Sequence, residues 1–92
     1  MNIIHEPTAV YIKPVQIVDA IYKGEYLVHM LFTDGHNQTL DFKPFLEQSN
    51  HPAIRRFLDL DLFQQFEIRE GNIQWKEFDL IFPLADLYQG KL

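Results

Sequence analysis

The chain has 92 residues, no cysteine, and a formal net charge of −5 from eight Lys plus Arg against 13 Asp plus Glu. The length fits one domain, the missing cysteines exclude a disulfide framework, Cys-based zinc sites and thiol chemistry, and the acidic balance excludes the basic footprint of an autonomous nucleic-acid binder. Hydrophobic residues are 47% of the chain and aromatics 14%, enough for one core without metal or cross-links.

No apolar run approaches the roughly 18 residues of a membrane span. Residues 1–7, Met-Asn-Ile-Ile-His-Glu-Pro, carry neither the basic nor the apolar region of a secretory signal. A cytoplasmic location is expected, in keeping with cysteine-free chemistry in a reducing compartment.

Pro7 and Pro14 bracket an extended entry over residues 8–13, so residues 1–14 are read as an extended N-terminal segment of a single domain spanning 1–92. Residues 15–22, Val-Gln-Ile-Val-Asp-Ala-Ile-Tyr, are rich in β-formers and end at a Lys23-Gly24 turn signal. Residues 26–33 alternate most clearly. Tyr26, Val28, Met30 and Phe32 share one face, and Leu27, His29, Leu31 and Thr33 share the other.

Asp34-Gly35 then marks a hairpin. A two-residue loop would set Val28 opposite Asp41 and Met30 opposite Thr39, mixing apolar with polar. A three-residue loop, with Gly35 left-handed, sets Val28 opposite Leu40, Met30 opposite Gln38 and Phe32 opposite His36. The second register gathers the apolar residues and is the one predicted, because a one-residue slip turns the whole set to the wrong face.

Pro44 suits the first turn of a short helix over 44–48, with Asp41 as a local cap. Ser49-Asn50 are expected to cap the main helix. Pro52 falls in its first turn, and Ile54, Phe57 and Leu58 follow at i, i+3, i+4. Apolar residues at 60, 62 and 63 break that period, which predicts a helix end and one more turn. Strands are predicted at 66–70, 73–75 and 78–82, with a Gly71-Asn72 turn between the first two. A last helical turn over 84–88 stops at Gly90.

The expected architecture is therefore α+β: a small antiparallel β-sheet built from hairpins, packed against one main helix with short helical turns. The predicted core is Val15, Ile17, Val28, Met30, Phe32, Leu40, Phe42, Leu46, Ile54, Phe57, Leu58, Phe63, Phe66, Ile68, Trp75, Leu80 and Leu87.

Motifs for chemistry are few. The histidines, His5, His29, His36 and His51, lack the spacing of a zinc motif, so no metal site and no cofactor are expected. The glycines are scattered and form no phosphate loop, and the single serine, Ser49, lies in no nucleophile elbow. His29 lies diagonal to Asp41 in the predicted register, and such a pair can do acid/base work in a small hydrolase. Its ordinary reading is a half-buried strand histidine bonded to a neighbour. Asp34, Asp59 and Asp61 are explained as turn and cap residues. Arg55-Arg56, the one basic doublet, can meet phosphate or an acidic partner, or can be a solvated helix face. Trp75 can anchor a partner or fill the core.

Read in order, Leu31-Phe32-Thr33-Asp34-Gly35, Leu40-Asp41-Phe42 with Pro44-Phe45-Leu46, Phe57-Leu58-Asp59 with Leu62-Phe63, Gly71-Asn72-Ile73-Gln74-Trp75, Asp79-Leu80 and Leu87-Tyr88 resemble the bacterial family known as domain of unknown function 2442. The likeness covers residues 15–88, the family-like core. It departs at one place: the family pattern has an Asn-Gly turn between the Trp and the Asp and a Pro soon after, where this chain has Lys76-Glu77-Phe78 and a later Pro83. The resemblance implies a small α+β domain with no catalytic residues, belonging to small two-gene units of toxin–antitoxin type. Some members are joined to a helix-turn-helix domain, for which 92 residues leave no room.

The expected function is thus non-catalytic: a protein-interaction or regulatory partner, antitoxin-like, of another small protein. Arg55, Arg56, Trp75 and Phe78 are the candidate contacts, with an exposed strand edge or residues 75–82 as the natural surface. Two alternatives stay open, the hydrolase using His29 and Asp41 and a nucleic-acid-linked regulator using Arg55 and Arg56. A homodimer through an edge strand is also left open.

Overall fold

The computed structural model describes residues 15–92; the extended segment expected over 8–13 lies outside them. Strands β1 (Ile17–Gly24), β2 (Leu27–Phe32) and β3 (Asn37–Asp41) are followed by helices α1 (Lys43–Gln48) and α2 (Pro52–Arg55). A 3-10 turn (Arg56–Leu58) and helix α3 (Leu60–Phe63) come next, then strands β4 (Phe66–Arg69), β5 (Asn72–Trp75) and β6 (Leu80–Ile81) and helix α4 (Leu84–Gln89). The fold is α+β, as expected, but the strands form two antiparallel three-stranded sheets in the orders β1-β2-β3 and β4-β5-β6.

The hairpin register is the one that gathers apolar residues. Val28 lies opposite Leu40 and Met30 opposite Gln38. The turn closes with Gly35 N–H on Phe32 O at 2.9 Å and Phe32 N–H on His36 O at 2.9 Å, with Gly35 at φ 89°. Val28, Met30 and Phe32 are fully or almost fully buried.

The two sheets meet at the tip of the β4–β5 hairpin. Ile17 N–H donates to Gly71 O at 2.7 Å, so strand β1 leans on that turn. The Cβ that an alanine at position 71 would carry falls 2.6 Å from Gln16 Cγ and Cδ. Only a residue without a side chain permits this approach.

The helical middle is more broken than its spacing predicts. Helix α2 runs one turn before tightening, with the Arg56 N–H shared between Pro52 O and Ile54 O. Neither Ser49 nor Asn50 caps it. Ser49 Oγ instead accepts the His51 N–H at 3.1 Å, closing a local turn before the helix begins. Asp59 does cap α3, accepting the Asp61 N–H at 3.0 Å. Asp41 accepts the Lys43 N–H at 3.0 Å at the start of α1. Helix α4 ends on Gly90 at φ 79°, the left-handed conformation that closes a helix.

Trp75 is the centre of the core. Its ring is met by Phe42, Phe57, Phe63, Phe66 and Phe82 with centroids 5.5–6.5 Å away. Its indole N–H donates to Phe63 O at 2.6 Å. Most of the predicted core is buried, with two departures. Ile68 is 37% exposed although it pairs with buried Ile73, β4 being an edge strand of its sheet. Ile73 and Phe82 are buried without having been expected. The strand expected over 78–82 is only Leu80–Ile81, since residues 76–79 form a turn.

A cluster of side chains pins α4 to the β2–β3 turn. Tyr88 Oη donates to Asp34 Oδ2 at 2.5 Å. Tyr88 O accepts from Gln38 Nε2 at 3.0 Å and from His36 Nε2 at 3.2 Å. The Tyr88 hydroxyl, followed by the His36 backbone N–H, holds the Asp34 carboxyl below its ordinary 3.8. The same bond, with some desolvation, raises the Tyr88 hydroxyl above its ordinary 10.0.

A depressed carboxyl stabilises the fold above its unfolded value, and the contribution is lost as pH falls through the folded value. A raised tyrosine contributes below its unfolded value, and that contribution is lost as pH rises through the folded one. The stability difference between the wild type and Tyr88→Phe should therefore be full near neutral pH. It should shrink below pH 3.8 and again above pH 10.0 in urea titrations. A difference independent of pH would mean that the Asp34–Tyr88 bond does not form.

Candidate functional site

The connection between β5 and β6 has the most unusual backbone among the described residues. Lys76, Glu77 and Phe78 all have positive φ, at 51°, 54° and 72°. Each left-handed L-residue costs about 1–2 kcal/mol, and non-glycine residues adopt the conformation singly, seldom in a run. Asn and Gly take positive φ at little cost, and this stretch holds neither. Here the conformation is kept without them.

Three interactions hold it. Gln74, almost completely buried, accepts the Phe78 N–H on its side-chain oxygen at 2.7 Å. Asp79 N–H reaches back to Lys76 O at 3.2 Å. Arg56 Nη2 donates to Asp79 Oδ2 at 2.6 Å, tying the 3-10 turn to the loop. Both members of that ion pair are largely solvent-exposed, so it positions the loop more than it stabilises it.

Phe78 is consequently displayed rather than buried, with 44% of its surface exposed. The Arg69 guanidinium lies 5.9 Å from its ring centroid, and Arg56 lies 4.9 Å from the ring of Phe57. Beside the loop, a shallow groove of about 490 Å³ is lined by Gln65, Phe66, Glu67, Arg69, Lys76 and Glu77. An exposed aromatic with charges of both signs around it suits recognition of a protein surface.

If the left-handed run is strained, relieving it at one position should stabilise the chain. Glu77→Gly is expected to gain about 1 kcal/mol, read as a higher urea midpoint. No gain would show that position 77 is already relaxed.

The sequence-predicted residues are dispersed. Trp75 lies at the centre of the core and presents no surface to a partner; its size and its neighbouring phenylalanines place it there. Arg55 donates to Glu47 O at 2.6 Å and Ser49 O at 3.4 Å, satisfying carbonyls at the end of α1. Arg56 and Phe78 alone are brought together, through Asp79. Gln74 was not singled out by sequence, because a polar residue alternating with Ile73 and Trp75 ordinarily faces outward on a strand.

His29 and Asp41 are not partnered. His29 Nε2 donates to Asn37 Oδ1 at 3.0 Å, and its Nδ1 lies 2.7 Å from the Thr39 hydroxyl. The Asp41 carboxylate is engaged by Lys43 N–H. Among the described residues, no group of three or more His, Asp or Glu is placed to hold a metal ion. No helix among them is long and apolar enough to cross a membrane.

Among known proteins, a family model described as "Protein of unknown function (DUF2442)" matches residues 17–92. No curated protein and no solved structure matches the chain.

Proposed function

The chain belongs to the DUF2442 family, described as being of unknown function, and we propose that it is a non-catalytic cytoplasmic interaction module. Its partner is a second small protein encoded beside it, which it regulates as an antitoxin-like component of a two-gene unit. The observation that supports this reading is the left-handed run at Lys76, Glu77 and Phe78, which keeps an aromatic ring in solvent. Backbone strain of that kind persists where the conformation has a use. Aromatic residues and arginine are enriched at protein–protein interfaces.

Neither alternative has comparable support. His29 and Asp41 take separate partners, and both arginines of the doublet are already engaged within the fold.

Co-expression with the neighbouring gene product tests the proposal. The two proteins should co-elute. Phe78→Ala should weaken the complex by roughly 30-fold, an effect of about 2 kcal/mol typical of an aromatic anchor. The thermal midpoint should hardly move, since surface truncations change stability by about 0.5 kcal/mol or less. Absence of co-elution, or a complex indifferent to Phe78→Ala, would sink this reading.

A further inference from the structure

We infer that the chain forms a homodimer by antiparallel pairing of β1 with β1 of a second copy, centred on Ile21. The argument starts from which backbone groups of β1 face outward. On β2, even-numbered residues bond β3: Phe42 N–H donates to Tyr26 O at 3.0 Å, and Phe32 N–H donates to His36 O at 2.9 Å. Successive residues of an antiparallel strand bond alternate neighbours, so the odd residues of β2 bond β1. Ile21 lies opposite His29 and Asp19 opposite Leu31, so these two turn their backbone groups toward β2. Ala20 and Tyr22 therefore turn theirs away from β2, to an edge that is open among the described residues. Ile17, of the same outward set before the bulge at Val18, donates its N–H to Gly71. Among the described residues no strand lies alongside Ala20 and Tyr22. The Ala20 N–H is instead held by its neighbour's side chain, Asp19 Oδ1, at 3.0 Å.

One register satisfies a second copy. A two-fold axis perpendicular to the sheet pairs residues of equal parity. Placing Ile21 opposite Ile21 makes Ala20 face Tyr22 of the other copy, and Tyr22 face its Ala20. Both outward residues of each strand are then used. The same register sets Asp19 opposite Lys23 of the second copy, twice by symmetry. Asp19 exchanges the Ala20 N–H for that ammonium while the Ala20 N–H passes to the backbone of the other copy. Ile21, 48% exposed, meets its equivalent at the centre. A register centred on Ala20 or Tyr22 sets an outward residue against Val18 or Gly24 and loses the opposition of Asp19 to Lys23, the residue that lies in the register shift between Tyr22 and Gly24.

Sedimentation equilibrium over a wide concentration range, on the full chain, tests the pairing. A monomer–dimer equilibrium is expected. Asp19→Lys and Lys23→Asp should each weaken it about tenfold, because two like-charge contacts replace two favourable ones. The double variant should return to within about threefold of wild type, since the swapped charges are again opposite. Circular dichroism confirms that each variant keeps its fold. Phe78→Ala, on a different surface, should leave the dimer intact. A chain that is monomeric at all concentrations overturns the inference, as does a dimer that ignores the single charge changes or is not restored by the double one.

Discussion

Trp75→Ala is expected to cost about 3–5 kcal/mol, the range for truncating a large buried aromatic. Domains of this size are stable by only about 5–15 kcal/mol, so the loss leaves little margin. The cost is at the high end because the cavity would open among Phe42, Phe57, Phe63, Phe66 and Phe82 at once. Those rings come from five different elements or connections and cannot all close in on an alanine. The Phe63 carbonyl would also lose the indole N–H. Trp75→Phe keeps most of the apolar surface and should cost less. Urea denaturation of both variants checks the order. An alanine variant within about 1 kcal/mol of wild type would mean that the core is not organised around this ring.

Gly71→Ala is expected to destabilise the chain by about 2–3 kcal/mol, combining a left-handed penalty with overpacking. The position has φ 81°, and a Cβ there would meet Gln16 Cγ and Cδ at 2.6 Å and Gln16 Cβ at 2.8 Å. Because Gln16 Cβ is close to the main chain, rotating the side chain does not clear the overlap. The Ile17–Gly71 hydrogen bond that joins the sheets must then lengthen. Gly35 is the control: its φ is 89°, and an added Cβ meets nothing within 4 Å. Gly35→Ala should show the conformational penalty alone, about 1 kcal/mol. Gln16→Gly in the Gly71→Ala background should recover the steric part and leave the rest. Equal losses for the two alanine variants would mean that the sheets do not meet at position 71.

The contrast between these two glycines shows what could be read in advance. Gly35 was legible as left-handed because only one loop length brought Val28 over Leu40 and Met30 away from Thr39, a purely local comparison. Gly71 was legible as a turn. Its contact with Gln16 was not, because the partner lies 55 residues away and makes no sequence pattern with it. The candidate site divides in the same way. Phe78 and Arg56 were legible as candidate contacts, an aromatic and a basic residue, but their meeting through Asp79 depends on the 3-10 turn that places Arg56. The left-handed run was hidden because Lys, Glu and Phe are residues that ordinarily avoid it. Arg55 read as a free charge, since nothing local shows that the carbonyls of α1 lie within its reach.

By itself the sequence determined the α+β class, the β2–β3 register, most of the buried face and the absence of thiol chemistry. These follow from alternation, turn residues and composition, which act over a few neighbouring positions. Only the tertiary structure decided that the strands divide into two sheets, that Trp75 is core rather than contact, and that Phe78 stands in solvent. Those outcomes rest on which strands pair, a ring of aromatic contacts and the buried side-chain oxygen of Gln74, each joining groups through space. A long-range contact adds its free energy only once the chain has closed around it, so no local pattern reports it.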